Sequence, residues 1–207
     1  MPHFVDPAVS RVKFNREISD YRTMEATYRK RGWLLLDAEF PEVFVAFAAT
    51  KLRPAPLVAA VLINFSNYDL HPPSVRFADP FTREPLLARD LQFAMYRRST
   101  VAGAEPNAVA PMIPQIQIQL LNMIQNHGPE EYPFICLPGI REYHDNPAHT
   151  GDSWLLHRAS GEGSLAFILE KIWSYGVDPL SMFQVQVQVP IQLPGMMTVG
   201  HPQAFPE

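Results

Sequence analysis

The chain has 207 residues, 47% of them hydrophobic and 18% charged, with a formal net charge of −4 and an isoelectric point near 6.0. That length suits one domain with a sizeable core, and the acidic balance leaves no broad basic field for nucleic acid or anionic lipid. A single cysteine excludes an internal disulfide and fits a reducing compartment.

The opening Met-Pro-His-Phe-Val-Asp-Pro lacks the basic start and apolar run of a secretory signal. The longest apolar run, Leu57–Ile63, falls far short of the ~20 residues that span a bilayer. The reading is therefore a cytoplasmic protein with no membrane or nucleic-acid partner, and Arg97-Arg98 is a solvated surface pair. The 21 prolines, against 10 glycines, are spread along the chain and predict many short connections. No internal repeat is visible.

Residues 16–31 predict a helix. Ile18, Tyr21, Met24 and Tyr28 recur at spacings of three and four, and Gly32 ends the run. Trp33–Ala38, Val43–Thr50 and Leu57–Phe65 predict three strands, with breaks short enough for an antiparallel meander. Ser74–Phe77 predicts a fourth strand, entered through the turn Asn67–Pro73. Arg83–Arg98 has mixed periodicity, and Thr100–Pro111 reads as loop. Gln115–Gln119 alternates as a strand does, whereas Leu120–Gln125 favours helix, so the pattern there leaves both open.

Ser164–Tyr175 predicts a helix with Leu165, Ile168, Leu169 and Ile172 on one stripe and Gly176 just beyond its end. Gln184–Val189 alternates between Gln and Val, the pattern of a half-buried strand. Residues 1–189 then form one domain, and Pro190–Glu207, rich in Pro, Gly and Met, a tail. The order of helix, strand meander, irregular segment and helix predicts an α+β fold with helices beside one antiparallel sheet.

Reactive side chains concentrate in residues 136–157. The segment holds the only cysteine, Cys136, three of the seven histidines, His144, His149 and His157, and Glu142 among them. Thiolate, carboxylate and neutral imidazole are ligands for a borderline-soft divalent metal such as zinc. The competing readings are plain. A cysteine flanked by Ile135 and Leu137 is most often a small buried hydrophobe, and Glu142, His144 and His149 can be surface loop residues. Asp152 and Ser153 suit a turn or cap better than a hydrolase triad, because no nucleophile elbow is present. Trp154 reads as a packing anchor, and Met196-Met197 as tail contact.

Two places resemble the ubiquitin-conjugating (E2) enzymes. The run Asn64–Phe77 is similar to their Tyr-Pro-Phe-x-Pro-Pro turn leading into a fourth strand, and Phe134-Ile135-Cys136-Leu137 resembles the Ile-Cys-Leu around their active cysteine. The element order through residue 176 matches as well. The family's His-Pro-Asn triplet is absent, since Asn126-His127-Gly128-Pro129 stands in its place and leaves Asn126 as the residue nearest that role. A second resemblance is to a bacterial family with a Cys-Glu-His-His pattern, whose genes neighbour ubiquitin-like, E1-like, E2-like and JAB-peptidase genes. The runs Gly139–His144 and Pro147–Trp154 carry it.

That resemblance implies a zinc site of Cys136, Glu142, His144 and His149, with His157 as a substitute ligand. It also implies a ubiquitin-like protein and E1-like and E2-like pathway proteins as partners. The spacing is compatible with such a shell. Glu142 and His144 share a side on an extended segment, Asn146-Pro147 turns His149 back, and Pro138-Gly139 permits a bend after Cys136. Two functions follow as expectations. One is a metal-stabilised accessory or adaptor protein of a bacterial ubiquitin-like modification pathway. The other is an active transferase carrying a ubiquitin-like protein on Cys136, with a histidine or Arg141 raising its thiolate fraction.

Overall fold

A computed structural model of the chain describes residues 4–102 and 116–182. The architecture is α+β: an N-terminal helix, a four-stranded antiparallel sheet and C-terminal helices. Among the described residues no helix is long and apolar enough to cross a membrane. The expected Gln184–Val189 strand and the 190–207 tail lie outside the described residues.

Helix α1 spans Pro7–Lys30, nine residues earlier at its start than the periodicity predicts. Asp6 is the cap: its carboxylate accepts the Ala8 N–H, and Pro7 occupies the first turn, where its missing donor costs nothing. The apolar stripe hides this first half because Val9 and Val12 face solvent while Ser10 is buried, its hydroxyl donating to the Tyr68 carbonyl.

Strands β1 (Trp33–Glu39), β2 (Glu42–Ala48), β3 (Leu57–Asn64) and β4 (Ser74–Phe77) form the meander in sequence order. Strand β2 reads as a continuous apolar run because both its faces are covered. Val43, Val45 and Phe47 join the main core, while Phe44 and Ala46 pack with Ala60 and Ala78 on the opposite face.

Strands β5 (Tyr96–Ala102) and β6 (Ile116–Asn122) form a separate antiparallel pair, with Tyr96 opposite Asn122. The strand alternative therefore wins over 116–122, where inter-strand pairing overrides the local helix preference. Strands β7 (Ile124–Gln125) and β8 (Phe134–Ile135) pair Ile124 with Ile135 and deliver the chain to Cys136.

The segment expected to be irregular instead contains two short helices, α2 (Arg141–Asp145) and α3 (Trp154–His157). Helix α4 (Leu165–Ile172) follows and continues into a wider turn over Trp173–Val177. Its stripe of Leu165, Ile168, Leu169 and Ile172 is fully buried against the same sheet face as Phe14 and Tyr21 of α1. Each such side chain contributes about 1.5–3 kcal/mol on burial. The ends of α1 and α4 are clamped together: the Arg31 guanidinium pairs with Glu170 at 2.7 Å and lies over the Trp173 ring at 3.9 Å.

Candidate functional site

Cys136 is placed by backbone pairing. Its N–H donates to the Met123 carbonyl at 2.7 Å, one step beyond the Ile124–Ile135 pair. Asn126 lies one residue beyond β7, at the opposite end of that short pair from Cys136. Asn126 is exposed there.

After Cys136 the chain bends at Pro138-Gly139 and packs closely on a neighbouring loop. A Cβ on Gly139 would stand 1.9 Å from the Glu162 carbonyl oxygen, so only glycine fits. Helix α2 starts at once and separates residues that an extended chain would align. At about 100° per residue, neighbours two apart on a helix point to divergent sides. Glu142 turns inward, where its carboxylate accepts the Ser74 hydroxyl and, at 3.1 Å, the Val75 N–H, with Arg76 at 3.6 Å. It serves as a buried fastener between α2 and β4. His144 turns toward the loops, with its ring nitrogens against the Asp152 carbonyl at 2.9 Å and the Pro138 carbonyl. Neither ring nitrogen is left to face Cys136.

Asn146-Pro147 does turn the chain back. The Asn146 side chain accepts the Ala148 N–H, and the resulting helical turn, Pro147–His149, sets His149 beside the thiol. Cys136 Sγ and His149 Nε2 are 3.7 Å apart, and both residues are half-buried. Burial pushes the Cys136 thiol above its usual range. Arg141 gives it no charge, because its guanidinium is buried against the Ser66 and Pro72 carbonyls at 2.6 and 3.2 Å.

The structure thus brings together Cys136 and His149 and sends Glu142 and His144 elsewhere. His157 is not a substitute: it faces Asp152 at 2.6 Å and Glu162 at 2.8 Å. Among the described residues no group of three or more His, Cys, Asp or Glu side chains is placed to hold a metal ion. The donors named for a zinc shell do not fit one in this arrangement.

One residue of the site escaped the sequence reading. The Tyr143 ring stacks on His149 with centroids 3.9 Å apart and planes 18° apart, and its hydroxyl donates to Asp152 at 2.6 Å. Burial, with Asp152 beside it, pushes the Tyr143 hydroxyl up to about 12. The Tyr143 hydroxyl and then His157 hold the Asp152 carboxyl below the usual carboxylate range. Asp152 in turn holds His157 above the usual imidazole range, with Glu162 adding to it. Trp154 anchors α3, buried and donating its indole N–H to the Asp69 carbonyl at 2.9 Å, as an anchor should.

The Y4jH-like (Y4jH family) profile matches residues 5–180, which take in every element from α1 to α4. A relative in Sinorhizobium fredii (strain NBRC 101917 / NGR234), "Uncharacterized protein y4jH", is 48% identical over 203 residues, covering 98% of this chain and 97% of the relative.

Proposed function

The chain belongs to the Y4jH family, and we propose that it is a thiol-dependent acyl-transfer protein of a bacterial ubiquitin-like modification pathway. Cys136 carries the C-terminus of a ubiquitin-like protein, and His149 serves as its base. The observation that supports this is the 3.7 Å approach of His149 Nε2 to Cys136 Sγ at the end of a short strand. The element order from α1 through the meander to the cysteine adds to it, as does the turn Asn64–Phe77 shared in resemblance with ubiquitin-conjugating enzymes. The setting proposed is cytoplasmic, with an E1-like activating enzyme as the supplier of the acyl group.

The chemistry is a thiol exchange. A thiol raised by burial is protonated at neutral pH and needs a base. Cys136 gives its proton to His149 Nε2, and the thiolate attacks the carbonyl carbon of the incoming thioester. A new C–S bond forms, the old one breaks, and the departing thiolate takes up a proton, so no electrons are gained or lost overall.

The zinc-holding accessory reading keeps two of its four donors, Cys136 and His149, and competes for the same thiol. A coordinated thiolate is a poor acyl acceptor, so the two readings exclude one another at this site. Incubation with a ubiquitin-like protein charged on its activating enzyme separates them. The expected product is an adduct that excess thiol cleaves by thiolysis and a non-thiol reductant leaves intact, absent from Cys136→Ala and slowed in His149→Gln. An adduct that persists in Cys136→Ala overturns the assignment.

A further inference from the structure

We propose that Tyr143 is the positioning residue for His149. Its ring fixes the imidazole plane against Cys136, and Asp152 fixes Tyr143. This rests on the thiol-transfer reading for the reaction it serves, but its test reads the thiol directly.

A histidine on a short helical turn has two side-chain torsions to hold, and a base must present one nitrogen to its proton. Among the described residues, the thiol is the polar partner of His149 Nε2. What defines its plane is the Tyr143 face, parallel within 18° at 3.9 Å. Tyr143 is itself constrained at its far end, where its hydroxyl donates to Asp152 Oδ2 at 2.6 Å. Asp152 has a second anchor, since its other oxygen faces His157 Nε2 at 2.6 Å, and His157 Nδ1 faces Glu162 at 2.8 Å. The chain of contacts runs from Glu162, on the loop that closes over Gly139, through His157, Asp152 and Tyr143 to His149. His144 stands edge-on to Tyr143 with centroids 5.1 Å apart, completing the groups around the ring.

The variants distinguish a positioning role from general support. Tyr143→Phe keeps the stacked face. Tyr143→Leu removes it, and His149→Gln removes the base. The probe is iodoacetamide, which labels the only cysteine, and the readout is the alkylation rate of Cys136 in the full chain at one neutral pH. His149→Gln is expected to slow it about tenfold, equal to one unit in the effective thiol pKa. Tyr143→Leu is expected to slow it by the same factor, and Tyr143→Leu with His149→Gln no further, because both remove one device. Tyr143→Phe keeps the ring but loses the tie to Asp152, and is expected to slow alkylation by a factor between those of wild type and Tyr143→Leu.

A folded Tyr143→Leu chain that alkylates at the wild-type rate overturns the inference, as does a double variant whose losses multiply. His149→Gln at the wild-type rate is a different failure, that of the thiol–imidazole reading itself. A measurement on the wild-type chain stands independent of folding defects. The His149 ring protons should be shifted upfield in the proton NMR spectrum by the Tyr143 ring current. Unshifted resonances overturn the stacked arrangement.

Discussion

Glu17 in α1 accepts the backbone N–H of Leu165 in α4 at 3.0 Å, across 148 positions of sequence. A helix begins with N–H groups that have no partner within it. Here Ser164 accepts one, from Phe167, and Glu17 of another helix accepts a second. The carboxylate is buried, so its loss would leave a buried donor without a partner. Glu17→Ala should lower stability by about 1.5–3 kcal/mol, the range for hydrogen bonds to charged groups. The urea midpoint is the check. An unchanged midpoint would mean that Ser164 alone starts α4.

Glu142 makes the corresponding tie between α2 and β4. Glu142→Gln should destabilise the chain by about 1–3 kcal/mol, because an amide cannot accept at both oxygens from Ser74 and Val75. The same variant should leave the iodoacetamide rate of Cys136 unchanged. A stable Glu142→Gln chain with altered thiol reactivity would return Glu142 to the reactive site.

Gly139 sits under the Glu162 carbonyl with no room for a methyl group. Gly139→Ala must therefore push the Glu162 loop or the Cys136 segment away. The expected cost is about 1–3 kcal/mol, as for other overpacked sites, read as a lower melting temperature. Wild-type stability in this variant would contradict the close approach.

The Asp152–His157 pair gives a pH dependence with a defined sign. The His157 imidazole is held above its ordinary 6.5, so its contribution is complete below 6.5 and is lost as pH rises through the raised value. The Asp152 carboxyl is held below its ordinary 3.8, so its contribution is complete above 3.8 and is lost as pH falls through the lowered value. The melting-temperature gap between wild type and His157→Asn should be widest between those two ordinary values and shrink on either side. A gap that grows toward alkaline pH would contradict the pairing.

How much of this was legible in the sequence varied with the physics of each element. The meander was readable because its strands are apolar, short and separated by brief polar breaks. The start of α1 was not, because its buried residue is Ser10 and its exposed ones include Val9 and Val12, the reverse of an amphipathic stripe. The cue there was the cap, Asp6-Pro7. The turn at Asn146-Pro147 was legible, and it carries His149 back to stand beside Cys136. The alignment of Glu142 with His144 did not carry over, because spacing of two aligns side chains only in extended backbone, and this stretch is helical. The Tyr143–Asp152 contact carried no local signal, since it joins a helix to a loop nine residues on.

The site holds either a free thiol beside a base or a thiolate bound to metal, and one preparation can answer for both. Metal content and thiol count of the tag-free, purified full chain, expressed with zinc added, test the central claim most directly. The account predicts one titratable thiol per chain and no stoichiometric metal. Near-stoichiometric zinc with Cys136 masked until chelation would contradict it and restore the metal-stabilised accessory role.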